Sequence, residues 1–304
     1  MFSTVILPLD GSTLARRAIP YAVKIARAAR GRLILFQALS AGESYDHAMA
    51  VLDAVADQLS KDGVATVARV RFGDAAKLIL DTALSEQDCL IVMSTRGRAG
   101  VERWLYGSVA DEVLRKADVP VMLIPMTCER SWSADRSFLI LIPLDGSDLA
   151  EEALGPIRAF ADVFGADMLL LRAVPPRTFS STNADVDPPN DPETELDEAR
   201  RYLESLAITL RAEGRVVRTL AVIDFPVPAI ARAAREQNVD LIAMATHGSG
   251  GLTRLVLGSV ATGTVHQATV PLLFIRPEAI PQQELSPGVL LGLTPAESTR
   301  DAGV

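Results

Sequence analysis

Pro8-Leu9-Asp10-Gly11-Ser12 returns 135 residues later as Pro143-Leu144-Asp145-Gly146-Ser147. Both copies run on with matched apolar positions: Leu14 and Leu149, Ala15 and Ala150, Ala18 and Ala153. A second pair of motifs lies further along. Thr95-x-Gly97 matches Thr246-x-Gly248, and Gly107-Ser108-Val109-Ala110 matches Gly258-Ser259-Val260-Ala261, now 151 residues apart. The change of offset puts a net insertion of 16 residues in the second half. Its natural place is the Pro-, Asp- and Ser-rich stretch 175–192, which reads as a loop or flap because Pro removes donors and the composition gives little to bury. A repeat this long is not a solenoid unit. It predicts two whole domains, 1–127 and 136–277, with a short linker between them and a loosely attached Pro-rich tail over 278–304.

The rest of the 304-residue chain agrees with two ordinary cores. Hydrophobic residues make up 49% and charged residues 22%, which excludes a largely disordered chain. The net charge is -8, and no run of like charges builds a basic face, so nucleic acid is not an expected partner. Lys24, Lys61, Lys77 and Lys116 are the only lysines, so the second half holds no P-loop or Schiff-base lysine. Cys89 and Cys128 form no CxxC and no zinc spacing; Cys89 sits in an apolar run and reads as core. No signal-peptide pattern and no apolar stretch of membrane-spanning length appears, so the expectation is a reduced, cytoplasmic protein without a membrane partner.

Apolar runs alternate with helical patterns in each half. Thr4 to Leu9, Arg32 to Leu39, Val64 to Phe72, Leu90 to Ser94 and Val119 to Ile124 read as strands, with helices over Ser12 to Arg30, His47 to Leu59, Ala75 to Ser85 and Gly107 to Lys116. The second half repeats that order. Alternation of this kind predicts an α/β fold with parallel sheets and right-handed crossovers. Ligands in such sheets bind beyond the carboxyl ends of the strands, where strand order reverses. Both repeated motifs fall at strand ends.

The Asp-Gly-Ser motif has two readings. It makes a tight turn with a Ser helix cap, or it presents the carboxylates of Asp10 and Asp145 to a sugar or base. The second motif couples glycines to a Gly-Ser pair that opens a helix, where free N–H groups and the helix dipole favour an anion. That is the chemistry a di- or triphosphate needs. It is neither a Walker A loop nor a GxGxxG loop.

With these residues in place, the chain resembles the universal stress protein family in its tandem two-domain form, over nearly all of residues 2–276. The family's ATP-binding pattern is Gly-x-x-Gly, nine residues, then Gly-Ser or Gly-Thr. Gly97, Gly107 and Ser108 match it, as do Gly248, Gly258 and Ser259; Ser94 and Ala245 stand where the pattern has its leading glycine. The resemblance implies two Rossmann-like domains, each a five-stranded parallel sheet of order 3-2-1-4-5 between helices. It implies an adenine-nucleotide site in each, drawn from Pro8, Asp10, Ser94, Gly97, Gly100, Gly107, Ser108 and Val109, and from Pro143, Asp145, Ala245, Gly248, Gly251, Gly258, Ser259 and Val260. ATP, with Mg2+ as a candidate companion, is the implied ligand, in a regulatory stress-response role. It also implies docking through the fifth strands, within the chain, between chains in a homodimer, or both. A nucleotide-free partner-binding protein and a slow ATPase are the alternatives.

Other candidates have plain explanations. His247 lies inside the second motif, but Arg96 takes its place in the first, which leaves loop packing or phosphate contact rather than shared imidazole chemistry. His47 and His266 read as surface residues. Arg103 and Arg254 align and could reach phosphate or sit in solvent. Trp104 and Tyr106 align with Leu255 and Leu257, which favours packing over base stacking.

Overall fold

The computed structural model describes residues 2–95, 107–133, 136–176, 191–248 and 257–277. The first half runs β1 (Thr4–Pro8), α1 (Thr13–Arg16), α2 (Ile19–Ala28), β2 (Arg32–Leu39), α3 (Tyr45–Lys61), β3 (Ala65–Phe72), α4 (Ala75–Leu84), β4 (Cys89–Ser94), α5 (Ser108–Lys116) and β5 (Val121–Ile124). The second half runs β6 (Leu139–Pro143), α6 (Asp148–Glu152), α7 (Leu154–Phe164), β7 (Asp167–Val174), α8 (Pro192–Ala212), β8 (Val217–Ile223), α9 (Pro226–Glu236), β9 (Leu241–Ala245), α10 (Ser259–Gln267) and β10 (Leu272–Ile275).

All ten strands form one sheet, in the order β3-β2-β1-β4-β5-β10-β9-β6-β7-β8. Within each half every pairing is parallel and the order is the expected 3-2-1-4-5. The halves meet where β5 and β10 pair antiparallel, with Met122 opposite Leu273. Side chains alternate across the pleat into two covered faces. Val5, Leu7, Leu33 and Leu35 pack under α2 and α3, and the same apolar layer runs on through Ile157 and Phe160 of α7 and Leu203 of α8. Ile6, Ile34 and Ile91 face the opposite way, toward Ile79 of α4 and Val113 of α5, in a layer that includes Ile230 of α9 and Val265 of α10. Burial on both faces is why the central strands β1, β4, β5, β6, β9 and β10 are almost wholly apolar, while the edge strands β3 and β8 carry Arg69, Arg71 and Arg218.

Two expected helices are broken. Ser12 to Arg30 divides into α1 and α2, and the matching helix in the second half divides into α6 and α7. Pro20 and Pro156 cause this: each sits near the start of the second piece, where its missing N–H costs nothing, and disfavours continuous helix before it.

The segment read as a linker is tied to both halves. Arg17 donates to the carbonyls of Met126 and Cys128, at 2.6 Å each, and Tyr21 and Lys24 donate to the carbonyls of Arg130 and Trp132. On the other side, Asp240 is 2% exposed and takes Arg130 Nε at 3.0 Å, the Leu139 N–H at 2.9 Å and the Arg136 guanidinium. Trp132 donates its indole N–H to the Asp240 carbonyl at 3.0 Å. Its ring packs edge-on against Tyr21, Phe138 and Phe164.

Cys89 is buried as expected. Burial is the main cause that pushes its thiol up to about 11, with Glu86 adding to it. The folded chain thus holds this proton where the unfolded chain, with an ordinary thiol near 8.5, releases it. That stabilisation is present below about pH 8.5 and is lost as pH rises through about 11. The melting temperature is expected to fall more steeply over that range in the wild type than in Cys89→Ala, as measured by calorimetry.

Candidate functional site

The strand order reverses between β1 and β4, and again between β6 and β9. At such a reversal the loops after the two strands run apart and leave a crevice at the carboxyl ends. A cavity occupies each place: about 360 Å³ in the first half and about 530 Å³ in the second. Both volumes suit a small-molecule site.

The first cleft brings together Pro8, Asp10, Ser94, Gly107, Ser108 and Val109. The second brings together Pro143, Asp145, Ala245, Gly248, Gly258, Ser259 and Val260. Gly97, Gly100 and Gly251, with Arg96, Arg103, Trp104, Tyr106 and Arg254, lie outside the described residues, as do 177–190 of the insertion and the tail from 278. Ser94 and Ala245, the residues that replace the leading glycines, are both on the cleft lining.

The turn reading of Asp-Gly-Ser holds, and the turn leaves both carboxylates on the cleft linings. Asp10 Oδ1 accepts the Ser12 N–H at 2.9 Å, and Asp145 Oδ1 accepts Ser147 N at 3.0 Å and Ser147 Oγ at 2.6 Å. Ser12 and Ser147 then cap α1 and α6. Gly11 and Gly146 carry φ near +80°, a value that favours glycine (φ 79 and 80). The turn fixes each carboxylate on the lip of its cleft.

The starts of α5 and α10 differ from those helices. Their N-caps are Gly107 and Gly258, and no side chain caps either one. Gly107 N donates back to Thr95 O at 2.7 Å, and Gly258 N to Thr246 O at 2.9 Å, which folds each helix start under its strand end. The following N–H groups belong to Ser108, Val109 and Ala110, and to Ser259, Val260 and Ala261. The first turn of a helix cannot satisfy these donors internally. All six residues line the clefts. The two motifs also touch: a Cβ on Gly248 would overlap Asp145 Oδ2.

The lateral walls came from residues that the sequence reading did not select. Phe36 and Gln37 wall the first cleft from β2, Ser40 and Glu43 from the turn after it, and Ala75 and Ile79 from α4. The second uses Leu171, Ala173, Pro226 and Ile230. Phe36 occupies the repeat position of Leu171, in the smaller of the two cavities. Because β2 neighbours β1, any 3-2-1-4-5 sheet puts the end of β2 beside the crevice; that was the available signal.

A doubly wound α/β unit, built twice in one chain with an anion-competent helix start at each crevice, is the class these features define. The sequence pattern of the universal stress protein family matches residues 1–125 and 139–276. The chain belongs to that family. A universal stress protein of Mycolicibacterium smegmatis is 26% identical over 232 residues, 73% of each chain. One from Methanocaldococcus jannaschii is 27% identical over 151 residues, which are 45% of this chain and 93% of that one. The solved structure of a universal stress protein from Archaeoglobus fulgidus superposes with a TM-score of 0.65 over 91% of this chain and 97% of that one, at 21% identity. Among the described residues, no helix is long and apolar enough to cross a membrane.

Proposed function

We propose that the chain is an ATP-binding regulatory protein of the stress response, made of domains 1–127 and 136–277 with one nucleotide site in each. The observation that carries this is the pairing, in both clefts, of a fixed carboxylate with a helix start that no side chain caps. Asp10 and Asp145 accept from the nucleoside. The N–H groups and hydroxyls of Ser108 and Ser259 and the flanking Val109 and Val260 amides receive the phosphates. Mg2+, where it accompanies ATP, is held by the phosphates. Pro8 and Pro143 shape the apolar floor, and Gly97, Gly100 and Gly251 belong to the phosphate loops. The reading places the protein in the cytoplasm.

Titration calorimetry with MgATP tests this directly. Saturable binding of two ATP per chain is the expected result; no saturable binding at millimolar ATP would overturn it. The side chains of Ser94 and Ala245 favour a weaker site than a glycine there, and they are the one observation behind the alternative of a nucleotide-free, partner-binding protein. Ser94→Gly is therefore expected to tighten ATP at the first cleft by about threefold, a change below ~1 kcal/mol. Hydrolysis is expected to stay slower than about 1 per second, because Asp10 and Asp145 are engaged by their own turn amides rather than set to activate water.

The fifth strands already pair inside the chain. A homodimer would therefore assemble through a different surface.

A further inference from the structure

The second cleft contains a group for which the shared constellation has no use. His247 lines it together with Gly248, Gly258 and Ser259, and Gly258 packs close to its backbone. Its Nδ1 lies 3.0 Å from Thr246 Oγ1, and Thr246 is itself buried, so the ring is held in one orientation. The other nitrogen, Nε2, is buried and has no hydrogen-bond partner among the described residues. A buried polar atom without a partner costs free energy, and a ligand that supplies the partner recovers it. The internal repeat adds an independent point. The same motif position in the first half is Arg96, a permanent cation. The position therefore suits positive charge, and in the second half that charge depends on a proton.

We propose that His247, in its imidazolium form, is a phosphate-binding residue of the second cleft and makes that cleft select phosphorylated nucleotides more strongly as pH falls. This rests on the nucleotide reading above. Imidazole ordinarily changes charge between about pH 5 and 8. Asp145 stands beside Gly248, the Arg172 guanidinium lies against the neighbouring Gly146, and the uncapped start of α10 borders the same cleft. Among the described residues that line the cavity, Asp145 and His247 are the titratable ones. An incoming polyphosphate brings full negative charge to the site, which an imidazolium pairs with and a neutral ring does not. Linkage then requires the reverse as well: if protonation tightens ATP, ATP raises the titration midpoint of His247.

The chain has three histidines, which makes the test direct. Proton NMR follows the Cε1–H resonances of His47, His247 and His266 in the full chain from pH 5 to 8.5, with His247→Gln to assign the middle one. Saturating MgATP is expected to raise the His247 midpoint by about one unit, equivalent to about tenfold tighter ATP on the acid side. Adenosine is expected to leave it in place, and His47 and His266 to respond to neither. His247→Arg is expected to bind ATP at the second cleft with a flat pH profile, and His247→Gln to bind it weakly with one equally flat. If ATP fills two sites per chain and the His247 midpoint does not move, the proposal is overturned while the nucleotide reading survives. If ATP fills neither cleft, both are overturned together.

Discussion

Asp240→Ala is expected to cost about 3–5 kcal/mol of stability, because it leaves Arg130 and Arg136 facing a buried gap and strips the Leu139 N–H of its acceptor. For a chain of this size the melting temperature should fall by roughly 10 °C, read by calorimetry. Asp240→Asn, which keeps an acceptor but loses the charge, should fall between the two. The effect should extend beyond the second half. Arg130 also holds Asn238, through its side chain at 2.7 Å and its carbonyl at 2.6 Å, and the same strap carries Trp132 into the aromatic cluster. Loosening Asp240 therefore slackens the tie to Arg17, Tyr21 and Lys24 of the first half. A melting temperature within about 2 °C of the wild type would show that the strap is decorative.

Gly248→Val should remove one of the two nucleotide sites. Any Cβ at this position meets Asp145 Oδ2. Asp145 cannot swing clear without giving up Ser147 N and Oγ, and with them the turn that presents it. Either the carboxylate or the phosphate loop must leave its place. ATP affinity at the second cleft should drop at least ~100-fold, or ~2.7 kcal/mol, and calorimetry should count one ATP per chain. The first cleft, with its own Asp10 and Gly107, should keep its affinity. Two undiminished sites in a folded Gly248→Val protein would mean that the Asp and Gly motifs do not share one ligand.

These two variants also mark what the sequence could and could not reveal. The duplicated strand-turn motifs made the architecture readable, since alternating strands and helices admit few topologies. Asp145, Gly248, Gly258 and Ser259 were readable as one constellation because both halves repeat them. Asp240 was not. It has no counterpart in the first half, where Cys89 takes its place, and its partners lie about a hundred residues away. The strap looked like a linker because Thr127, Arg130, Ser131, Ser133 and Arg136 are polar. Their polarity serves bonds that only the folded neighbours supply. Phe36 and Glu43 were missed for a related reason: each is unremarkable within its own element, and only strand adjacency brings it to the cleft. Pro20 and Pro156 were visible and should have divided their helices.

The antiparallel seam between β5 and β10 fixes where the two ligands would stand. Every strand of one half runs opposite to every strand of the other, so the carboxyl-terminal rims look away from each other, toward opposite poles. Four strand spacings, roughly 19 Å, also separate the crevices sideways. No single small molecule could bridge them, and neither bound phosphate tail would feel the other's charge at physiological salt. The chain offers its surroundings two back-to-back faces, each free to be read by a different neighbour.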